Sequence, residues 1–394
     1  MSNKDKKGNP FLNFIWLDKR RRAKNFSFLL TVLMILTALP IGYMNAKLDL
    51  ISTGDDGILP QPVTQVALQG QSQIDIDNNS FDEEEEAIVE EELEKIVSAN
   101  GKEYLYNWSR NSVSPMSRSD VINVLLIGLD SRTGLQYGGR SDTLILLSLN
   151  KTTKKINMTS FFRDTYCYIN NNGNESYGKI NSSYAKGGAN CLIDTIESNF
   201  KVDINYYVTV DFSNFEQIID ALGGLKVTVQ EYEAAYIRKT EKISMPSGTN
   251  VTLNGKQALL FSRIRKCDSD SDVSRTRRQR MVITSLINTA KNSSVTEINA
   301  MLNTLLPYVR TNLTQSEISN YIAEAVFGGW MNYEIVETTL SDSDVFKTGY
   351  VGESSVVFME FPVAAQRLQK AIYGQTNITI NEGDQTMFSL IKSL

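Results

Sequence analysis

The sequence predicts an α/β fold: a mixed central sheet flanked by helices, set behind a single N-terminal transmembrane helix. Three observations carry this. Apolar runs of strand length end at punctuating residues, as at 121–127 before Gly128. Stripes of helical period lie between such runs, as in Phe215, Ile218, Ile219 and Leu222. An apolar stretch at 26–46 follows the basic cluster Lys19, Arg20, Arg21, Arg22 and Lys24. Strands and helices that intermix along the chain favour a layered architecture around one sheet.

Taken in order, residues 1–25 read as a cytoplasmic tail, because basic residues beside an apolar span stay on the inner side. Residues 26–46 are about long enough to cross a bilayer as a helix, with Pro40 near the far end. A cleaved signal peptide is the alternative. Its apolar core is usually shorter, and no good small-x-small site stands near Met44, Asn45 and Ala46. Everything after Lys47 is then outside the cell.

Residues 47–115 read as an acidic extracellular stalk. It holds the run 82–86 of one Asp and four Glu, and a weak helical stripe at Val89, Leu93, Ile96 and Val97. The globular domain is expected over 116–373. Its strands are expected at 121–127, 143–149, 156–161, 206–212 and 225–230. One helix carries the stripe 215–222 and stops at Gly223 and Gly224. Ile283, Leu286, Ile287 and Ala290 mark another, and Ile298, Met301, Leu302 and Leu305 a third. Late strands at 336–339 and 356–361 and a last helix at 364–373 follow, and 374–394 is expected to be a loose tail.

Composition excludes several chemistries. The chain of 394 residues has no histidine, so a Ser-His-Asp triad, a Cys-His pair and any His-containing metal site are absent. A net charge of −5 carries no nucleic-acid signature. Three cysteines are too few for a disulfide framework or a zinc site. Cys167 and Cys191 either pair, if the domain is extracellular, or are buried and unpaired.

The chemistry gathers around 261–279. Arg263 and Arg265 alternate, so on a strand both point to one face. Asp272 is expected as a helix N-cap, which puts Arg275, Arg278 and Gln279 on a shared face. Such a concentration of guanidiniums suits a phosphate or pyrophosphate. The alternative is a basic surface beside an acidic loop of Asp268, Asp270 and Asp272.

Four more clusters stand at strand ends or in loops. Asp130 and Arg132 follow the first strand, and Arg140, Ser141 and Asp142 precede the second; α/β sheets place ligand groups at strand ends. Asp130 and Asp142, if they meet with few basic competitors, suit Mg²⁺ once a phosphate completes the shell. Taken singly, each is a turn aspartate bonding its own backbone. Arg163 and Asp164 follow the third strand, either as ligand groups or as a buried ion pair. Lys179, Ile180 and Asn181 precede Gly187 and Gly188, which either admit an anion before a helix or form a plain turn.

This ordered series of motifs resembles the LytR-CpsA-Psr family: Gly128-x-Asp130-x-Arg132, then 140–143, 163–165 and 179–181 with Gly187 and Gly188, then Arg263-x-Arg265 and Asp272 through Gln279. Segments 204–224 and 253–259 resemble it too. The likeness covers 120–325 and continues more weakly to 373. It implies a phosphotransferase that moves a glycopolymer, of teichoic acid or capsular polysaccharide type, from a polyprenyl-pyrophosphate carrier to the muramic acid C6 hydroxyl of peptidoglycan. It implies Mg²⁺ (or Mn²⁺) on Asp130 and Asp142. Pyrophosphate contacts are implied for Arg163, Arg263, Arg265, Arg275 and Gln279, with Arg140 and Lys179 in support and Arg278 on the same helix. A hydrophobic tunnel for the lipid is implied as well. Implied partners are the lipid-linked glycopolymer, peptidoglycan and the cytoplasmic membrane, in a bacterial single-pass protein with its N-terminus inside. Asp164 or Asp272 is the candidate base. Two other readings use the same residues or the same fold: hydrolysis of the carrier pyrophosphate by water, and a non-catalytic membrane-anchored envelope regulator or lipid-binding protein. Arg277 and Arg280 lie outside the pattern and read as surface residues.

Overall fold

The computed structural model describes residues 52–53, 99–130, 139–293, 297–298, 301, 305–351 and 354–390. Its strands are β1 (Ser52–Thr53), β2 (Val121–Leu129), β3 (Ser141–Asn150), β4 (Lys155–Ser160), β5 (Tyr166–Asn171), β6 (Asn174–Lys179), β7 (Tyr206–Asp211), β8 (Leu225–Val229), β9 (Gly248–Leu253), β10 (Arg310–Thr311), β11 (Glu334–Thr338), β12 (Phe346–Val351) and β13 (Ser354–Met359). Seven of them form a mixed sheet in the order β1-β10-β7-β2-β3-β4-β11; β5–β6 and β12–β13 are separate hairpins, and β8–β9 is a separate antiparallel pair joined by the longer connection 230–247.

The long apolar run of β2 makes it the sheet's central strand. It pairs antiparallel with β3 and parallel with β7. Val121, Asn123, Leu125, Ile127 and Leu129 are buried and the intervening residues only half-buried, so one face takes the deeper core. At its far end the register slips. Gly128 stands opposite Thr143, but Leu129 stands opposite Ser141, which leaves Asp142 as the extra, bulged residue. A Cβ on Gly128 would come within 2.8 Å of the Thr143 Cβ, so this corner needs glycine.

The helices are α1 (Ala99–Tyr106), α2 (Ser182–Phe200), α3 (Phe212–Ala221), α4 (Glu231–Thr240), α5 (Gly255–Arg263), α6 (Ser271–Lys291), α7 (Gln315–Phe327), α8 (Phe361–Tyr373) and α9 (Met387–Leu390). One core gathers the buried residues of β2, β3, β5, α2, β13 and α8. A second gathers α3, β8, α4 and α5 with Val282 of α6. The helix expected over 215–222 is α3. The Asp211 carboxylate caps it by accepting the Asn214 N–H at 2.7 Å, and Gly223 and Gly224 close it at φ +80° and +98°.

Several expectations change. Arg263 and Arg265 are not on a strand: Arg263 ends α5 and Arg265 lies in the turn after it. Asn254 and Gln257 form a capping box that starts a helix, and Ala258, Leu259 and Phe261 bury its inner face. One alternation of arginines does not outweigh that. The N-cap of α6 is Asp270, which puts Asp272 in the first turn. Gly187 and Gly188 break α2 with non-helical backbone angles, Gly188 at φ +65°, so they lie at a kink and precede its second, longer helical piece.

Within the segment expected as stalk, residues 99–111 pack against the domain. Leu105 of α1 is fully buried, Trp108 Nε1–H donates to the Asn199 carbonyl at 2.7 Å, and Lys201 Nζ donates to the Ser109 carbonyl at 3.0 Å. The tail expected to be loose is packed in its described part. Met387 is buried, and Glu360 accepts the N–H groups of Met387 and Phe388. The segment 26–46, the acidic run 82–86 and the stripe 89–97 lie outside the described residues, as does Leu302 of the stripe Ile298, Met301, Leu302 and Leu305. Among the described residues no helix is long and apolar enough to cross a membrane.

Candidate active site

The site is built where strands end. Asp130 follows β2, and its N–H donates to the Arg140 carbonyl at 3.3 Å, which draws the start of β3 alongside. The bulge in β3 turns Asp142 out of the regular alternation. After β4 the buried pair Phe161 and Phe162 anchors the next turn, and the Thr165 N–H closes on the Phe162 carbonyl at 3.0 Å. The Asn181 N–H donates to the Arg163 carbonyl at 3.1 Å, so the base of the β5–β6 hairpin fixes Arg163 and Asp164.

Charged side chains from these ends meet those of α5 and α6. Arg163 Nη1 donates to Asp142, and its Nε lies 3.4 Å from Asp164. Lys179 Nζ is 3.3 Å from Asp164, and Arg265 Nη2 is 3.8 Å from it. Arg265 Nε donates to Asp272 at 2.9 Å, and Arg275 Nη2 is 3.1 Å from the same oxygen. Arg263 Nη2 lies 3.5 Å from Asp130, with its guanidinium 4.6 Å over the Phe212 ring. Gln279 is buried one turn beyond Arg275, and Arg140 is half-buried at the start of β3.

The electrostatics favour an anion. Burial works to raise the Asp164 carboxyl, but Arg163, Lys179, Arg275 and Arg265 outweigh it and hold it below the usual carboxylate range. Burial opposes the charge on Arg163, yet Asp142 and Asp164 raise its guanidinium above the ordinary value. Burial and Arg163, against the pull of Asp272, push Arg275 down to about 10, so it is still a cation at neutral pH. The Nε atoms of Arg163 and Arg275 are buried without a hydrogen-bond acceptor. The Arg275 Nε–H has no partner in the chain and the Arg163 Nε–H only the 3.4 Å contact with Asp164, so both can take further acceptor oxygens.

Asp130 and Asp142 offer hard oxygen donors, which fit Mg²⁺ or Mn²⁺ when phosphate oxygens fill the remaining positions. Among the described residues no group of three or more such ligands gathers. The expectation of few basic competitors is not met: Arg263 attends Asp130 and Arg163 binds Asp142. Convergence of strand ends with α5 and α6 brings together charges that stand far apart in the sequence.

Arg278 departs from the expected shared face. It is fully buried, donates to Glu233 at 2.8 Å and to the Ile264 carbonyl at 3.2 Å, and binds Asp268. The buried Glu233 requires this partner, so Arg278 joins α4 to α6 instead of lining the cluster around Asp164. Arg280 is no surface residue either; it is buried, donating to Glu337 at 2.7 Å and Ser160 at 3.1 Å. Arg277 is partly exposed, 3.5 Å from Glu233. Sequence reasoning missed Phe212, whose only signal is an aromatic residue directly after a strand end. Cys167 and Cys191 are free and buried, and burial pushes both thiols up. Cys267 is also free, pushed up to about 11 by burial and its bond to Asp268.

A family model described as the LytR_cpsA_psr family matches residues 75–370. The chain belongs to that family. The match takes in every site residue named above and begins inside the segment expected as stalk. The chain is 38% identical over 206 residues to a Bacillus licheniformis protein named polyisoprenyl-teichoic acid–peptidoglycan teichoic acid transferase TagU, covering 52% of this chain and 64% of that one. The protein of the same name from Oceanobacillus iheyensis is 40% identical over 210 residues, 52% of this chain and 62% of that one. The matched part thus spans just under two thirds of these relatives' length. The Bacillus cereus protein of that name is 33% identical over 253 residues, 64% of this chain and 77% of that one. Among solved structures, B. subtilis TagV superposes with a TM-score of 0.54 at 25% identity, over 66% of this chain and 100% of that one. The Streptococcus agalactiae protein gbs0355 gives 0.57 at 23%, over 66% and 91%. TagT bound to LIIa-WTA gives 0.53 at 24%, over 68% and 95%. The mixed sheet flanked by helices is the fold they share.

Proposed function

We propose that this protein is a membrane-anchored phosphotransferase that moves a glycopolymer from a polyprenyl-pyrophosphate carrier to the muramic acid C6 hydroxyl of peptidoglycan. The observation that carries the reading is the convergence of Arg163, Lys179, Arg263, Arg265 and Arg275 on one set of strand ends, with two buried guanidinium N–H groups that make no hydrogen bond. Pyrophosphate supplies acceptors for them. The relatives named as teichoic acid transferases favour a teichoic acid type of polymer over a capsular one.

Residues 26–46 anchor the chain in the cell membrane, with the N-terminus inside and the domain outside. The arginines bind and orient the pyrophosphate. The acceptor oxygen bonds to the phosphorus that carries the glycopolymer, and the bond from that phosphorus to polyprenyl phosphate breaks. Polyprenyl phosphate leaves with the electron pair. Such a transfer needs positioning and charge stabilisation more than covalent chemistry. Mg²⁺ or Mn²⁺ on Asp130 and Asp142 would neutralise charge on the phosphoryl oxygens. Asp164, held ionised among Arg163, Lys179 and Arg265, is a poor proton acceptor and positions those cations. Asp272 takes the acceptor proton once Arg265 and Arg275 turn to the pyrophosphate.

The test uses the full chain in detergent with a short polyprenyl-pyrophosphate-linked saccharide, an uncrosslinked peptidoglycan oligomer and Mg²⁺. Mass spectrometry is expected to find the phosphodiester conjugate with the wild type and none with Arg263→Ala or Asp142→Ala. Free sugar phosphate without conjugate would replace transfer by hydrolysis. Bound lipid without any turnover would leave a carrier or regulator.

A further inference from the structure

The two carboxylates expected to hold a cation are each held by a guanidinium expected to hold pyrophosphate. Asp142 is bound by Arg163, and both side chains are largely buried, at 19% and 17% exposure for Arg163 and Asp142. Asp130 lies 3.5 Å from Arg263, in a pair about twice as exposed. The other two site acids are engaged as well: Asp164 by Arg163, Lys179 and Arg265, and Asp272 by Arg265 and Arg275.

We infer that Arg163 and Arg263 are internal counter-ions for Asp142 and Asp130, so that divalent cation and pyrophosphate bind with positive coupling. The inference deepens the proposed function and rests on its reading of the site. A cation arriving at Asp142 competes with Arg163, and pyrophosphate arriving at Arg163 releases Asp142. Each ligand takes one member of the same ion pair and leaves the other member for its counterpart. A buried charge that loses its partner is costly, so each ligand alone binds against that cost and the two together bind without it. Linkage makes the effect reciprocal.

The geometry suits an exchange of partners. Arg163 uses Nη1 on Asp142, while its buried Nε makes no hydrogen bond and only a 3.4 Å ion-pair contact with Asp164, which leaves it able to take a phosphate oxygen. Arg263 stacks on Phe212, which keeps the guanidinium in place when Asp130 lets go. The buried Arg163–Asp142 pair is screened less than Arg263–Asp130 and carries most of the coupling.

The test measures each ligand alone, because cation and pyrophosphate also associate in solution. Mn²⁺ binding to the full chain in detergent is followed by electron paramagnetic resonance without pyrophosphate. Arg163→Gln is expected to bind Mn²⁺ about tenfold more tightly than the wild type, within the usual range for coupled sites. Arg265→Gln is the control: it removes the same charge from the same cluster, but Arg265 pairs with Asp272 and Asp164 and not with Asp142 or Asp130. It should change Mn²⁺ binding much less. Inorganic pyrophosphate is titrated by calorimetry in EDTA, where Asp142→Asn is expected to bind several-fold more tightly than the wild type. Mn²⁺ affinity that is unchanged or weaker in Arg163→Gln, or raised equally in Arg265→Gln, overturns the inference. If Arg163→Gln does not fold, the Asp142→Asn titration decides alone, and unchanged or weaker pyrophosphate binding overturns it. Conjugate formation by the wild type is a separate readout, so the coupling can fail while the transferase reading stands.

Discussion

Phe212 is the residue that sets the aim of Arg263. The residue lies directly after β7, and the Arg263 guanidinium stands over its ring at 4.6 Å. A stacked guanidinium keeps its planar fork free at the edge, where phosphoryl oxygens bind. Phe212→Ala is therefore expected to weaken pyrophosphate binding by ~0.5–2 kcal/mol, the range of a cation–π contact, and Phe212→Trp to restore it. Calorimetry with inorganic pyrophosphate and Mg²⁺ checks this. A loss that Trp does not rescue would make Phe212 a packing residue only. Loss of a guanidinium itself is larger. Arg275→Ala should remove ~2–4 kcal/mol of transition-state stabilisation, by analogy with loss of one oxyanion donor, read as kcat/KM for conjugate formation.

At the scale of elements, α2 ends in a second titratable cluster away from the site. Glu197 accepts the Ile204 N–H at 2.6 Å, and Asp203 and Asp194 stand nearby. Burial first, and those two carboxylates after it, raise Glu197 from 4.5 to about 7, against the Ile204 bond that favours its charge. A raised carboxyl contributes stability that is fully present below its unfolded value and is lost as pH rises through its folded one. The window is therefore between about 4.5 and about 7. Glu197→Gln should flatten the pH dependence of stability across that window, as followed by urea unfolding at a series of pH values. An unaltered slope would remove Glu197 as its source. The element scale also explains α5, where a Cβ on Gly255 would lie 2.1 Å from the Glu216 carbonyl oxygen. That contact sets how closely α5 approaches α3, and with it the position of Arg263 at the other end of α5.

For the whole molecule, the site lies on the seam between two cores. Arg163, Asp164 and Lys179 border the core of β2, α2 and α8, while Arg263 and Arg275 come from α5 and α6 of the other and Arg265 from the connection between them. The pairs Arg265–Asp164 and Arg263–Asp130 cross that seam. Behind it, Arg278 and Glu233 join α4 to α6 with both side chains buried. Glu233→Ala strands a buried cation and should cost ~3–5 kcal/mol, read as a lowered denaturation midpoint. A change under ~1 kcal/mol would mean that Asp268 alone neutralises Arg278.

Much of this was legible in the sequence because it is local. Apolar runs marked β2, β3 and β4, the 215–222 stripe with its two glycines marked α3, and the ordered motifs named the acids and arginines. Side-chain period and turn chemistry act over a few residues and leave their trace there. The direction of Arg278 was not legible, because its partner Glu233 lies on another helix. The burial of Arg280 was hidden for the same reason, with Glu337 on β11 as its partner. The helical state of Arg263 was concealed by a two-residue alternation, which a capping box several residues upstream overrode. Packing of 99–111 and of the tail depended on surfaces offered by α2 and by Glu360. By itself, then, the sequence determined the elements that carry a strong local pattern, the acids and arginines grouped near them, and which chemistries a chain without histidine excludes. Only the tertiary structure decided which acid meets which arginine, because ion pairing depends on distance in space and on desolvation, and neither is set by spacing along the chain.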